Sequence, residues 1–159
     1  MKQSAFAAFL LLAACLAFAA ELPESNPSTL APCPVTLPPS DGVYGNEALQ
    51  VGLWPEGTVI FKPGGPGAEL PDGALYMKFW WWRLRPGQLT FEGRRLDAAA
   101  PPLRASVPGG YGPSDFQPTA LIFPTPGCWE VTGRLGDDSL TFVTLVVKIG
   151  DGPGRWDGA

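Results

Sequence analysis

The stretch from Phe123 to Ile149, FPTPGCWEVTGRLGDDSLTFVTLVVKI, leaves the chain little choice of local structure. Pro124 and Pro126 stop any helix, and Gly127 completes a turn. Trp129, Val131 and Leu135 then alternate with Glu130, Thr132 and Arg134, interrupted only by Gly133. That period of two sends one face inward and the other outward, as a β-strand does. Gly136, Asp137 and Asp138 turn the chain, and Leu140 to Ile149 returns as a strand rich in Val, Thr and Phe. Apolar residues on both faces of that return predict burial on both sides, near the middle of a sandwich. The two aspartates are explained by the turn. A pair of carboxylates does not fill the six to eight oxygen positions of a calcium shell.

The same signals recur along the chain. Ala48 to Trp54 places Leu49, Val51 and Leu53 on one face; Pro55-Glu56-Gly57 turns, and Thr58 to Lys62 reads as the second arm of a hairpin. Pro63 to Gly73 is a loop. Leu75 to Arg83 is a third strand and Gln88 to Leu96 a fourth, with Leu89 and Phe91 inward. Asp97 to Pro118 is looser, with Leu103 to Val107 as one short strand. With 20 Gly and 19 Pro in 159 residues, turns dominate and no stretch beyond the N-terminus holds a helical period. About seven strands at spacings of roughly 8–15 residues predict an all-β fold, an immunoglobulin-like β-sandwich. The expected organisation is a signal segment over 1–19, a Pro/Ser-rich arm over 20–43, the β-sandwich domain over 44–150 and a flexible tail over 151–159.

The chain contains no histidine. Ser-His-Asp and Cys-His nucleophile systems are therefore excluded, as are histidine-based zinc, copper and non-haem iron sites. No pair of carboxylates stands out by its spacing on a strand, so no catalytic residue, metal site or cofactor is assigned and the expectation is a non-enzymatic protein. A carboxylate-dependent hydrolase is the weaker alternative. A net charge of −4 without a basic run argues against nucleic acid as a partner. Arg83, Arg85, Arg94 and Arg95 read as solvated strand ends.

Met1 to Ala19 reads as a targeting segment: Lys2 precedes the apolar run AFAAFLLLAACLAFAA, which is too short to span a bilayer between polar flanks. Ala17-Phe18-Ala19 offers cleavage before Ala20, whereas Leu12-Ala13-Ala14-Cys15 resembles a lipobox in which Cys15 is the lipidated first residue. Both routes lead out of the cytosol, to a lipid-anchored or a free exported protein, with the membrane reached only through the lipid. In an oxidising compartment Cys33 and Cys128 are most simply a disulfide, two free thiols or a metal site being the alternative. A closed loop of about 95 residues corresponds to roughly 4–5 kcal/mol in the chain-entropy account.

The most informative local feature is Tyr76-Met77-Lys78-Phe79-Trp80-Trp81-Trp82-Arg83. On a strand, Met77, Phe79 and Trp81 share one face, and Tyr76, Lys78, Trp80 and Trp82 the other. An unpaired lysine rarely faces a core, so Lys78 assigns the second set outward. Tyr76, Trp80 and Trp82 then form a stripe of rings about 7 Å apart, suited to sugar rings or a protein partner. The competing reading is structural. The arm and the 97–118 loop are both available to cover the rings, and Lys78 and Arg83 could stack on them.

Three blocks carry a resemblance: Val51-Gly52-Leu53-Trp54-Pro55-Glu56-Gly57-Thr58-Val59-Ile60-Phe61, Met77-Lys78-Phe79-Trp80-Trp81-Trp82-Arg83, and Phe123-Pro124-Thr125-Pro126-Gly127-Cys128-Trp129-Glu130-Val131-Thr132-Gly133-Arg134. Through them Tyr44 to Ile149 resembles a family of uncharacterised bacterial exported proteins. The resemblance implies export, often as a lipoprotein, and no particular activity. The last block is also similar to the closing hairpin of bacterial immunoglobulin-like periplasmic domains, some of which bind copper through His and Met. With no His and only Met1 and Met77, this chain lacks those ligands. The combined expectation is an exported binding or structural module of the cell envelope, with an envelope protein or a glycan as partner. The alternative is a carbohydrate-binding module using Tyr76, Lys78, Trp80 and Trp82.

Overall fold

A computed structural model describes residues 32–156. The expected signal segment, Cys15 and the first part of the arm lie outside the described residues, as do 157–159. The described chain is all-β, with ten strands: β1 (Val43–Gly45), β2 (Leu49–Gly52), β3 (Thr58–Phe61), β4 (Ala68–Glu69), β5 (Leu75–Arg83), β6 (Leu89–Arg95), β7 (Arg104–Ser106), β8 (Asp115–Phe123), β9 (Gly127–Leu135) and β10 (Asp138–Lys148). Among the described residues no helix is long and apolar enough to cross a membrane.

Two sheets face each other. One runs β1-β2-β5-β8-β7, with β4 paired to β5 as well; the other runs β3-β10-β9-β6. The closing hairpin is β9 and β10, joined through Gly136 and Asp137, with Asp138 opposite Leu135. Gly136 takes a φ of +60°, a conformation open to glycine at little cost. Its second strand is central in the sheet but differs from expectation in burial. Leu140, Phe142, Thr144 and Val146 are buried, whereas Val143, Leu145 and Val147 on the other face are only half-buried.

Facing rings fill the space between the sheets. Trp129 meets Phe123, Phe123 meets Phe79, Phe79 meets Phe142, Phe142 meets Trp81, and Trp81 meets Phe91, with centroids 5.1 to 6.5 Å apart. Trp129 donates its indole N–H to the Thr125 carbonyl at 3.0 Å. Gly133, which breaks the alternation of β9, lies beneath Trp81: a Cβ there would stand 2.7 Å from the ring atom Cη2. The irregularity in the sequence is thus the space the largest core side chain occupies.

Four expectations are corrected. Ala48–Trp54 and Thr58–Lys62 are not a hairpin. Both edges of β2 are taken, Val51 standing opposite Tyr44 on one side and Trp81 on the other. The chain therefore crosses to the second sheet, where β3 runs parallel to the end of β10. Glu56 and Gly57, with φ of +55° and +64°, make the corner. Secondly, the region after Asp97 is less loose than its composition suggests. Phe116 to Pro118 already belongs to β8, which tolerates Pro118 because β7 pairs only with Ala120–Ile122 and leaves an open edge there. Thirdly, the strand count exceeds seven because β1 and β4, of three and two residues, are too short to carry a period, and β8 begins inside the looser region. Fourthly, the described part of the tail is hydrogen-bonded to the domain. Glu69 donates to the Gly154 carbonyl, Trp156 donates back to that of Glu69, and the Trp156 ring lies 5.1 Å from Tyr76.

Cys33 is bonded to Cys128, with Cα atoms 5.5 Å apart. Beyond the bridge the arm lies along β10: Thr36 donates its N–H to the Val143 carbonyl at 2.8 Å, and its hydroxyl accepts the Val143 N–H at 2.9 Å. Around Cys128 the corner is held by Arg95, which donates to Asp97 at 2.6 Å and to the Thr125 hydroxyl at 3.2 Å. The Arg95 hydrogen bond holds the Asp97 carboxyl below its ordinary value of 3.8. It prevails over burial, which acts the other way, and the Cys128 backbone adds to the lowering.

Phe142→Ala should cost about 3–5 kcal/mol in denaturant unfolding, as large core truncations do. A loss below about 1 kcal/mol would mean that the rings do not carry the packing. For Asp97, a folded pKa below the unfolded one means stability is present above 3.8 and lost as pH falls through the lowered folded value. The stability difference between the native chain and Asp97→Asn should be full near pH 7 and close toward zero in that acid window. A difference unchanged by acid would refute the pair.

Candidate functional site

Strand β5 presents opposite characters on its two faces. Met77, Phe79 and Trp81 are buried between the sheets, while Tyr76 and Trp82 are half-buried and Lys78 and Trp80 exposed on the outer face. Trp80 retains 45% of its surface. Its cross-strand neighbours are small. Pro118 stands opposite on β8, and Gly52 of β2 lies so close that a Cβ there would be 3.6 Å from the indole.

Phe116 gathers the rings. It lies 5.9 Å from Trp80 in a stacked arrangement, 5.9 Å from Trp82 and 6.3 Å from Tyr111. Two open concavities flank Trp80. One, of about 360 Å³, is bounded by Tyr111, Phe116, Pro108 and Pro118. The other, of about 290 Å³, is bounded by Trp54, Pro66 and Trp156. Tyr76, Lys78 and Trp80 line both, so the two are halves of one aromatic face.

No carboxylate lines either half, and Lys78 has no ion pair among the described residues. The outer face of the other sheet differs. There Arg94 pairs with Glu130 at 2.8 Å and Arg134 with Glu92, so adjacent strands are laced by opposite charges. A chain of net charge −4 thus keeps its acids off the aromatic face.

The arrangement suits stacking. Aromatic rings with unobstructed faces attract apolar and planar groups, and a nearby ammonium adds a hydrogen-bond donor. Among the described residues no cluster of three or more His, Cys, Asp or Glu is placed to hold a metal.

The structure brings Tyr76, Lys78, Trp80 and Trp82 onto one surface and keeps them apart from Cys33 and Cys128. The 97–118 segment covers part of the stripe: Phe116 stacks on Trp80 and packs on Trp82, while Pro108 and Tyr111 form a wall beside them. Two expectations for Arg83 are overturned. It is neither a solvated strand end nor a stacking partner of the stripe, because alternation puts it on the core face, where it is 6% exposed. The sequence reading missed Phe116, Tyr111 and Trp156. Phe116 was legible in the alternation of FQPTAL, but Pro118 masked it; Tyr111 and Trp156 sit in Gly-rich segments with no period to follow.

Comparison with family models, with curated proteins and with solved structures finds no match for the chain.

Removing Trp80 should lower the acrylamide-quenchable fraction of tryptophan fluorescence while changing stability by less than about 1 kcal/mol. Trp81→Ala should cost about 3–5 kcal/mol. Equal losses for both would show that the outer ring is packing rather than surface.

Proposed function

We propose that this chain is an exported, non-enzymatic binding module of the bacterial cell envelope, and that the outer aromatic face of β5 and β8 is its contact surface. The observation that carries this reading is the joined face around Trp80: exposed rings, two shallow concavities and an unpaired Lys78, with no acidic side chain lining it. Exposed aromatic side chains gathered on one face are a common form of interaction site. Export is supported by the leader pattern over 1–19 and by the Cys33–Cys128 bridge, which persists in oxidising surroundings. Attachment is through a lipid on Cys15, or the protein is released by cleavage before Ala20. The non-enzymatic reading is supported by the absence of histidine and by Glu92 and Glu130, each held by an arginine rather than free for acid–base work.

The scaffold belongs, on this reading, to the immunoglobulin-like sandwiches. Order β2-β5-β8-β7 against β6-β9-β10 corresponds to the A-B-E-D and C-F-G sheets of that fold. The bridge departs from the antibody pattern, joining the arm to β9. Between β5 and β9, the strands that would carry an inter-sheet disulfide, Trp81 rests on Gly133.

A glycan is the occupant that the geometry of Trp80 favours over a protein. Its ring keeps 45% of its surface exposed beside the stacked Phe116, and Lys78 lines the same concavities as a donor to hydroxyl groups. Affinity electrophoresis through soluble envelope polysaccharides, with peptidoglycan co-sedimentation alongside, tests this. The native chain should be retarded or sedimented, and Trp80→Ala should weaken the interaction about tenfold or more, as loss of a central aromatic anchor does. No retention by any glycan would sink the carbohydrate reading. Retention unchanged in the variant would sink the aromatic face itself.

A further inference from the structure

At the Arg83 end of the sandwich another open concavity, of about 450 Å³, lies between the β5–β6 turn and the loop 107–113. Arg83 lies in its wall with 6% of its surface exposed. One Nη donates to the Gly87 carbonyl at 2.9 Å and the other to the Gly112 carbonyl. Its Nε is buried with no acceptor. Among the described residues no carboxylate comes within ion-pair distance of this guanidinium. An arginine always carries its charge, and a buried charge without a counter-charge is costly.

The ladder offers a counter-charge that goes unused. Asp115 stands directly opposite Arg83 in the β5–β8 register, where facing side chains share a face. Its backbone instead takes a φ of +80°, which non-glycine residues seldom adopt, and its side chain is exposed. Such conformations concentrate at functional sites. The concavity therefore has one positive charge in its wall and room beside it for a small molecule.

We propose that this cavity binds a small carboxylic acid with an apolar body, the carboxylate accepting hydrogen bonds from Arg83. Charge balance selects the class. Arg83 is the one cationic side chain lining the cavity, so a single negative charge matches it, and a phosphate dianion would leave an excess. Each Nη spends one N–H on a carbonyl and keeps a second, which a carboxylate oxygen can accept. The rest of the wall is largely Leu89, Val107, Pro108, Tyr111 and Pro113, which takes an apolar ring or alkyl chain. Tyr111 and Pro108 line this cavity on one side and the aromatic face on the other, but the two sites share no charged group.

Benzoate is the probe, with benzyl alcohol and inorganic phosphate as controls, titrated into the mature protein by calorimetry and followed by thermal unfolding. Benzoate should bind saturably and raise the midpoint, and both controls should bind at least about tenfold more weakly. Arg83→Lys keeps the charge but loses the paired Nη donors and should weaken benzoate about ten- to hundredfold. Because Arg83 also holds two carbonyls, that variant risks misfolding. Val107→Trp fills the cavity and leaves those bonds in place, and should abolish benzoate binding in a folded protein. Trp80→Ala should leave it unchanged. Benzoate binding no tighter than that of either control, binding that survives Val107→Trp, or binding lost in Trp80→Ala would overturn the proposal. The last outcome would place the ligand on the aromatic face instead.

Discussion

The interleaved rings between the sheets are the constraint from which the rest follows. Each sheet alone has one apolar face and no reason to stay folded; Phe79, Phe123 and Trp81 from one and Trp129, Phe142 and Phe91 from the other lock them in register. Trp81 fits only because β9 has a glycine under it. A strand that commits Met77, Phe79 and Trp81 to the inside must turn Tyr76, Lys78, Trp80 and Trp82 outward. The outer aromatic face is thus tied to the core by the geometry of a single strand, and neither can move without the other.

The two outer surfaces of the sandwich divide the polar and apolar character of the chain. On the β9 side, Arg94, Glu130, Arg134 and Glu92 form cross-strand ion pairs that are exposed and contribute little energy each. They keep that face wet. On the β5 side, Phe116 stacks on Trp80 and packs on Trp82, Trp80 stays partly exposed, and the tail adds Trp156 to the rim. Loop 107–113 stands where this face meets the Arg83 end, so one Gly-rich segment shapes both proposed sites.

Much of this was legible in residue order. The alternation of LYMKFWWWR, with Lys78 as the marker, fixes which rings face out, and the turn residues of the closing hairpin fix its two strands. What escaped has common physical causes. The crossing of β3 to the second sheet depends on which edges of β2 are already occupied, a fact held by β1 and β5 rather than by the PEG turn. Phe116 was hidden because a proline in a strand is acceptable only at an open edge, and edges are set by partners far along the chain. Arg83 followed the alternation that assigned Trp81, but a charged residue at a strand end is ordinarily solvated, and only tertiary packing shows it enclosed.

The cysteine bridge determines how the molecule carries a load. Cys128 stands at the start of β9 opposite Leu145 near the end of β10, so chain arriving at Cys33 and chain leaving β10 depart from the same end of the hairpin. Tension between an attachment ahead of Cys33 and anything beyond β10 bypasses the loop from Pro34 to Gly127 through a covalent bond. Strand β5 lies off that covalent path but is tied to the chain beyond β10 through Glu69, which pairs with Gly154 and Trp156. A pull from that side loads the Glu69 pairs and the Trp156 ring on Tyr76 first, and only then meets β9 and β10 as an unzipping force, opposed one rung at a time.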